Sequence, residues 1–168
     1  VLTRRFDENF HAAVSLLEKV DDVHDRFIHE FELSSTETFL KYNLPPPKLR
    51  RNVGILGLLH KRVLGKCHPS FEVLLPWNSS HFSISKGLGH SKQLYGHNIE
   101  ANHHQAIFNR SIFVMVDIYN DLSQYVVDAS SVSAFQKYLT QIARKRCQIG
   151  NVDWASSFCR SFEHNFED

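Results

Sequence analysis

Three consecutive prolines, Pro45–Pro47, constrain the fold of this chain more than any other local feature. Proline has no backbone N–H and disfavours a helical conformation at the residue before it, so a helix must end ahead of this run. The third proline can begin a new helix, because the N–H groups of a first helical turn have no partner within the helix. The sequence predicts this helix over roughly 47–64, with one apolar stripe made of Leu49, Val53, Leu56, His60 and Val63.

Apolar residues also recur at helical spacing before the prolines. We predict a helix over Arg4–Val20 and a second stripe over Val23–Phe31. Asp21-Asp22 is typical of a helix start, which favours a break between the two. A short helix through Tyr42 follows, and the spacing of Ser34 and Glu37 predicts a capping box at its first residue.

After the prolines the helical pattern is interrupted by a long polar segment. Residues Trp77–Gln105 are rich in Ser, Gly, Asn and His and have no helical period, which predicts a long loop or an extended arm. A last helix is predicted to begin after Ser130 or Ser131 and to end at Gly150. The other predicted helices are Pro69–Leu75 and Ile107–Tyr119, and the predicted anchors in the tail are Trp154, Phe158, Phe162 and Phe166.

These patterns predict an all-α fold with a single multi-helix domain over residues 1–168. Its parts are N-terminal helices over 1–75, an extended loop over 76–106, and C-terminal helices and a tail over 107–168. The chain has only seven Gly and five Pro, fewer turn residues than a β-sandwich of this length needs. A hydrophobic fraction of 42% with thirteen Phe is enough for a packed core.

Charge is distributed unevenly along a chain whose net charge is only +1. Residues 38–99 carry nine Lys or Arg and one acidic residue, Glu72, whereas residues 1–37 carry four basic and nine acidic residues. A basic segment between acidic ends indicates a surface for a polyanion, and nucleic acid is the obvious one. The alternative is that this segment docks onto the acidic helices of the chain itself or onto an acidic protein partner.

The predicted RNA contacts are basic residues of this segment, one neighbouring aromatic residue and a basic cluster on the last helix. Basic side chains beside aromatic rings suit phosphate contacts combined with base stacking, and Trp77, Phe82 and Tyr95 are the aromatic residues of the loop. The predicted contacts are Lys48, Arg50, Arg51, Lys61, Arg62, Lys66, Lys86, Lys92, Tyr95, Arg144, Lys145 and Arg146.

Other kinds of chemistry have little support in the sequence. The eleven His and three Cys include no C-x2-C or H-x3-H pair, so loop histidines and buried thiols explain them better than a metal site. No nucleophile motif or phosphate-binding glycine loop is present, and we predict no catalytic residue, cofactor or small-molecule substrate. No apolar run is long enough to cross a membrane. Three cysteines without disulfide spacing favour a reducing, intracellular compartment, and a start at Val1 is compatible with a removed mitochondrial targeting segment.

Two sequence blocks carry a resemblance to a known family: F-x-x-x-F-x-L-S, and then L-x-x-N-L-P-P-P-x-x-R-R-N-V-G-I-L-G-L-L-H-K-R-V-L-G-K. Phe27–Lys66 resembles the region that follows the polymerase core in reverse transcriptases of non-LTR (LINE-type) retrotransposons. The resemblance continues more weakly through Val116–Leu122 and Val126–Leu139. The family's x-D-D motif, which binds the catalytic metals, has no counterpart here. The resemblance therefore implies the helical accessory part, which lies alongside template and primer strands, without the enzyme.

Together these features lead us to expect a non-catalytic RNA-binding structural subunit of a large ribonucleoprotein, descended from a retroelement. A mitochondrial ribosome is one such complex. The expected partners are structured RNA, such as ribosomal RNA, and neighbouring proteins of the same complex. Two alternatives remain open at this stage: an assembly module that docks an acidic protein, and an accessory fragment of a retrotransposon reverse transcriptase.

Overall fold

A computed structural model describes residues 2–78, 90–96 and 112–159 of the chain, with side chains from Ser15 onward except that of Leu17. Within these ranges the chain is helical, which confirms the predicted all-α class. The predicted contact Lys86, the aromatic Phe82, the anchors Phe162 and Phe166, and residues 107–111 of the predicted helix Ile107–Tyr119 lie outside the described residues.

The described helices follow in chain order and are numbered here α1 to α7. None of them combines the length and the apolar composition that a membrane-spanning segment requires. The helices are α1 Leu2–Glu30, α2 Ser35–Tyr42, α3 Pro47–Val63, α4 Ser70–Leu74, α5 Val114–Asn120, α6 Gln124–Val127 and α7 Val132–Gln148, and a 3-10 turn follows at Trp154–Ser156.

Several helix ends form as the sequence predicts. Ser34 and Glu37 make the full capping box of α2, in which each side chain accepts from the other residue's backbone N–H. Pro47 is the first residue of α3, and the side chain of Ser131 caps α7. Gly150 has φ +75° just after α7, a conformation that favours glycine at a helix C-terminus.

The predicted break at Asp21-Asp22 is wrong, because α1 runs through it as one helix of 29 residues. Acidic residues favour a helix N-terminus, but they do not disrupt a helix interior. Val20 and Val23 continue one apolar stripe across the two aspartates, so the helical pattern itself has no interruption there.

The core is built on α3 and α7, which pack as an antiparallel pair. Leu49 at the start of α3 shares a buried cluster with Cys147 at the end of α7, whereas Leu59 shares a second cluster with Phe135 near the start of α7. Residues of α5 and α6 complete the second cluster, and Trp154 completes the first by stacking on Phe39 with ring centroids 5.2 Å apart.

Residues 90–96 are irregular, as the predicted long loop over 76–106 requires, but they pack against the helical body instead of extending from it as an arm. His90 and Leu94 are buried, and the backbone N–H and C=O of Leu94 both bond to the side-chain amide of Asn120, at 2.9 and 2.8 Å. The backbone N–H of Asn78 donates to the carbonyl of Gln93 at 3.1 Å. The segment is therefore held at both ends by hydrogen bonds that the loop-like composition of the sequence does not reveal.

Two buried histidines hold Tyr119 in the centre of the core. The Tyr119 hydroxyl lies 3.1 Å from His60 Nδ1, and His60 Nε2 lies 2.8 Å from the Ala129 carbonyl. Because a carbonyl only accepts, Nε2 carries the proton and the tyrosine hydroxyl donates to Nδ1. His90 repeats this arrangement: its Nε2 donates to the Tyr119 carbonyl at 2.9 Å, and its Nδ1 accepts from the Lys92 N–H at 3.0 Å.

We expect the free energy of unfolding to decrease below about pH 6.5, the ordinary histidine pKa. Burial lowers the pKa of both His60 and His90, so the unfolded chain takes up protons that the folded chain excludes. Above the histidine pKa of the unfolded chain, the free energy of unfolding keeps its full value. Below that pKa it decreases by up to about 1.4 kcal/mol per pH unit for each histidine.

Urea denaturation at about pH 7.5, 6 and 5 measures this effect. His90→Gln should reduce the pH dependence, whereas His68→Gln, which changes an exposed histidine, should leave it unchanged. Equal stability of the unaltered protein at the highest and lowest pH would contradict the neutral, buried state of the two rings.

Candidate nucleic-acid interface

One face of α3 presents basic side chains to solvent. Arg50, Gly54 and Lys61 are spaced by four and seven residues, so they share one side of the helix, and all three are exposed. Lys48 is exposed in the first turn, and Lys66 is exposed just after the helix ends. Arg50 and Lys61 are separated by about 16 Å along the helix axis, given a rise of about 1.5 Å per residue.

A shallow cleft separates this face of α3 from α7. Its volume is about 270 Å³, and no carboxylate of the described residues lines it. On α7, Thr140 lines the cleft, and Lys137 and Arg144 lie three residues before and four residues after it, on the same side of that helix. The residues that line the cleft are Pro45, Leu49, Arg50, Val53, Gly54, Gln136 and Thr140.

Two glycines of α3 shape this side of the helix differently. We expect from the sequence that something packs closely against both of them. At Gly57 this is confirmed, because a Cβ there would collide with the side chain of Gln136, so the missing side chain lets α7 approach. At Gly54 it is wrong, because nothing lies within 4 Å of an added Cβ. Gly54 instead leaves the helix backbone open to the cleft.

Four of the predicted RNA contacts are exposed cations that form no ion pair with any residue in the described ranges: Lys48, Arg50, Lys61 and Lys66. Lys145 at the end of α7 is also exposed. Unpaired surface cations keep their full attraction for an external anion, screened only by solvent and salt. These side chains are therefore the available part of the predicted site.

Three other predicted contacts have intramolecular partners. Arg51 Nη1 lies 2.8 Å from Asp21 Oδ1, which ties α3 to α1. Lys92 Nζ donates to the Val127 carbonyl at 2.9 Å and to Asp128 Oδ1 at 2.8 Å, and this hydrogen bond lowers the pKa of the Asp128 carboxyl. Arg144 Nη2 donates to the Leu40 carbonyl at 2.6 Å, which joins α7 to α2.

Arg62 belongs to the core rather than to the exposed surface, which corrects its assignment as a phosphate contact. Only 5% of the residue is exposed, and its Nε donates to the Leu75 carbonyl at 3.2 Å. Its guanidinium lies 5.5 Å from the ring centroid of Trp77, and Nη1 is 4.0 Å from Glu72 Oε1. These contacts fix α4 and the start of the following loop against α3.

The remaining predicted contacts lie at other positions around the fold. Arg146 is exposed, and its Nη1 lies 3.4 Å from Ser157 Oγ. Tyr95 is half exposed near Trp77, since the backbone N–H of Tyr95 donates to the Pro76 carbonyl at 2.9 Å and Trp77 pairs with Leu94. About half of each of these two aromatic residues is therefore exposed to solvent.

No protein family, curated protein or solved structure matches this chain. Among the residues described, no group of three or more His, Cys, Asp or Glu could hold a metal ion.

Sequence reasoning missed the contribution of α7 to the cleft. Lys137 is exposed and lies outside the basic middle segment, so the charge count along the chain does not select it. Helical spacing could have linked Lys137, Thr140 and Arg144 to one face of α7. The antiparallel register that brings this face beside Arg50 depends on packing between distant segments, which the sequence pattern does not contain.

Proposed function

We propose that this protein is a non-catalytic, RNA-binding structural subunit of a large ribonucleoprotein. The observation that supports the proposal is a set of exposed cations on α3 that form no ion pair with the described residues, beside a cleft that no described carboxylate lines. Lys48, Arg50, Lys61 and Lys66 lie along one helix and its end, so a single nucleic-acid backbone can contact several of them at once.

The dimensions of this surface suit a folded RNA. Arg50 and Lys61 lie about 16 Å apart along α3, so they would contact separate phosphates of one duplex. Contacts of this kind recognise the shape and the backbone of RNA rather than its sequence. The half-exposed Trp77 and Tyr95 add surfaces on which an unpaired base can stack.

The resemblance of Phe27–Lys66 to the post-polymerase region of LINE-type reverse transcriptases favours RNA over other polyanions. In that family the region lies alongside nucleic-acid strands, and α3 is the central part of the matched block. A descendant of such an element, kept for RNA binding without polymerase activity, would fit a structural role in a ribosome, of which the mitochondrial ribosome is one candidate.

A salt titration of binding to a structured RNA hairpin tests the proposal. Four phosphate contacts predict that log K falls with log salt concentration with a slope of about −3 to −4. A slope near zero would contradict phosphate recognition.

Purification from the native source identifies the partner directly. RNA that is recovered with the protein supports the proposal. A complex that survives nuclease and contains only an acidic protein would favour the assembly module instead. Template-directed polymerisation by the chain alone would show that it is an enzyme and overturn the proposal.

A further inference from the structure

The apolar face of α1 is largely uncovered. Leu16, Val20, Val23 and Phe27 are spaced by four, three and four residues, which is the heptad pattern of helices that pack side by side. Leu16 is 63% exposed and Val23 is 59% exposed. Such a contiguous apolar stripe on a long helix marks an interaction surface.

This stripe forms one wall of a groove, called here the α1 groove, with a volume of about 420 Å³. Leu44 and Arg50 form the opposite wall, so the groove runs between α1 and the connection from α2 to α3. Its lining is otherwise apolar except for His24, and among the described residues its charged members are Lys19 and Arg50, with no carboxylate. The carboxylates of Glu18, Asp22 and Asp25 fall on the other side of α1 by helical spacing.

His24 gives a second, independent indication of a missing partner. It lines the α1 groove and is only 7% exposed, yet its Nε2 atom has no hydrogen-bond partner among the described residues. Leaving a buried polar group unpaired costs stability, so such groups in folded proteins usually mark a place where another group binds.

We propose that the α1 groove binds an amphipathic helix of a protein partner whose apolar ridge is flanked by carboxylates. The ridge would pack between Leu16, Val20 and Val23, and the carboxylates would pair with Lys19 and Arg50 and accept from His24. Leu16 to Phe27 spans about 17 Å, which matches three turns of a partner helix.

Charge disfavours two other occupants. A second copy of α1 packed antiparallel with its centre between Asp22 and Val23 would place Lys19 opposite Arg26, cation against cation. A membrane-surface helix normally has a polar face rich in Lys and Arg. The polar face of α1 instead carries Glu18, Asp22 and Asp25, which an anionic lipid surface would repel.

The test uses labelled synthetic helical peptides of about 18 residues, with Leu at the a and d heptad positions. In one set of three sequences the e and g positions are Glu, and in the matched set they are Lys. Fluorescence anisotropy with the full chain should show at least one Glu peptide that binds about tenfold or more tightly than its Lys counterpart, because only Glu complements Lys19 and Arg50.

Val23→Asp should reduce binding of the Glu peptide by about tenfold or more, since it places a charge in the apolar stripe. The matched control is Val152→Asp, at a residue that is 91% exposed after α7, and it should leave peptide binding unchanged. Neither Val23 nor Val152 lines the cleft between α3 and α7. Arg50 lines both the cleft and the α1 groove, whereas Lys61 and Lys66 line neither, so the loss of RNA affinity on changing Lys61 and Lys66 to Glu reports separately on the proposed function.

Three results would overturn the proposal. The first is equal binding of Glu and Lys peptides, or binding of neither set. The second is a dimer in sedimentation equilibrium that Val23→Asp dissociates, which would make a second copy the occupant. The third is binding to vesicles of phosphatidylserine that Val23→Asp abolishes, which would make the groove a lipid-binding face.

Discussion

Changing Arg50, Lys61 and Lys66 together to Glu should lower the affinity for a structured RNA hairpin by on the order of 100-fold at about 0.1 M salt. Each lost phosphate contact removes about one unit from the salt dependence of log K, so the slope should also fall by about three. The three side chains are exposed and have no ion pair within the described residues, so the fold should tolerate the change. Circular dichroism and thermal unfolding check that tolerance.

A second triple variant with the same change in net charge shows whether the position of the changed cations matters for RNA binding. Lys19, Arg26 and Lys41 are also exposed cations, but they lie on α1 and α2, and none of them lines the cleft between α3 and α7. Changing these three to Glu should weaken RNA binding much less than the first triple variant does. Equal losses in the two variants would mean that net charge governs binding, and the α3 surface would not be the site.

Arg62→Glu should destabilise the protein by about 3–5 kcal/mol, a large part of the stability of a domain of this size. The substitution removes the donor to the Leu75 carbonyl and the cation beside Trp77, and it puts a carboxylate in a buried position near Glu72. Urea denaturation measures the loss directly.

Lys61→Glu is the matched control because it makes the same charge change one residue earlier, at an exposed side chain. It should change stability by no more than about 0.5 kcal/mol while weakening RNA binding. If the Arg62→Glu variant had the same free energy of unfolding as the unaltered protein, Arg62 would not be part of the core. Comparison of the two variants therefore distinguishes a cation that stabilises the fold, Arg62, from one that we expect to bind RNA, Lys61.

Local features of the fold were predictable because they depend on neighbouring residues. The start of α3 at Pro47, the capping box of Ser34 and Glu37, and the end of α7 before Gly150 each follow from residue types at fixed short spacing. The apolar stripe of α3 was also visible, and Leu49, Leu56 and His60 are buried as it predicts.

The candidate site was only partly predictable, because tertiary packing decides which basic side chains stay exposed to a partner. Arg62 and Lys61 contribute equally to a charge count. In the folded chain, however, α4 and Trp77 cover Arg62, whereas Lys61 stays exposed. Lys92 lies in a polar segment that reads as a loop, and only the folded chain brings it to Asp128. A charge count along the sequence therefore does not distinguish the cations that stay exposed from those that the fold uses.

The antiparallel bridge between Trp77 and Leu94 has a consequence for how the chain can vary in length. Asn78 and Gln93 are joined by a hydrogen bond, and Leu94 is fixed to Asn120, so the described residues on either side of 79–89 are held close together. Doubling the length of a connection with fixed ends costs only about 0.6 kcal/mol of closure entropy. We therefore expect an insertion between Asn78 and His90 to cost the protein little stability.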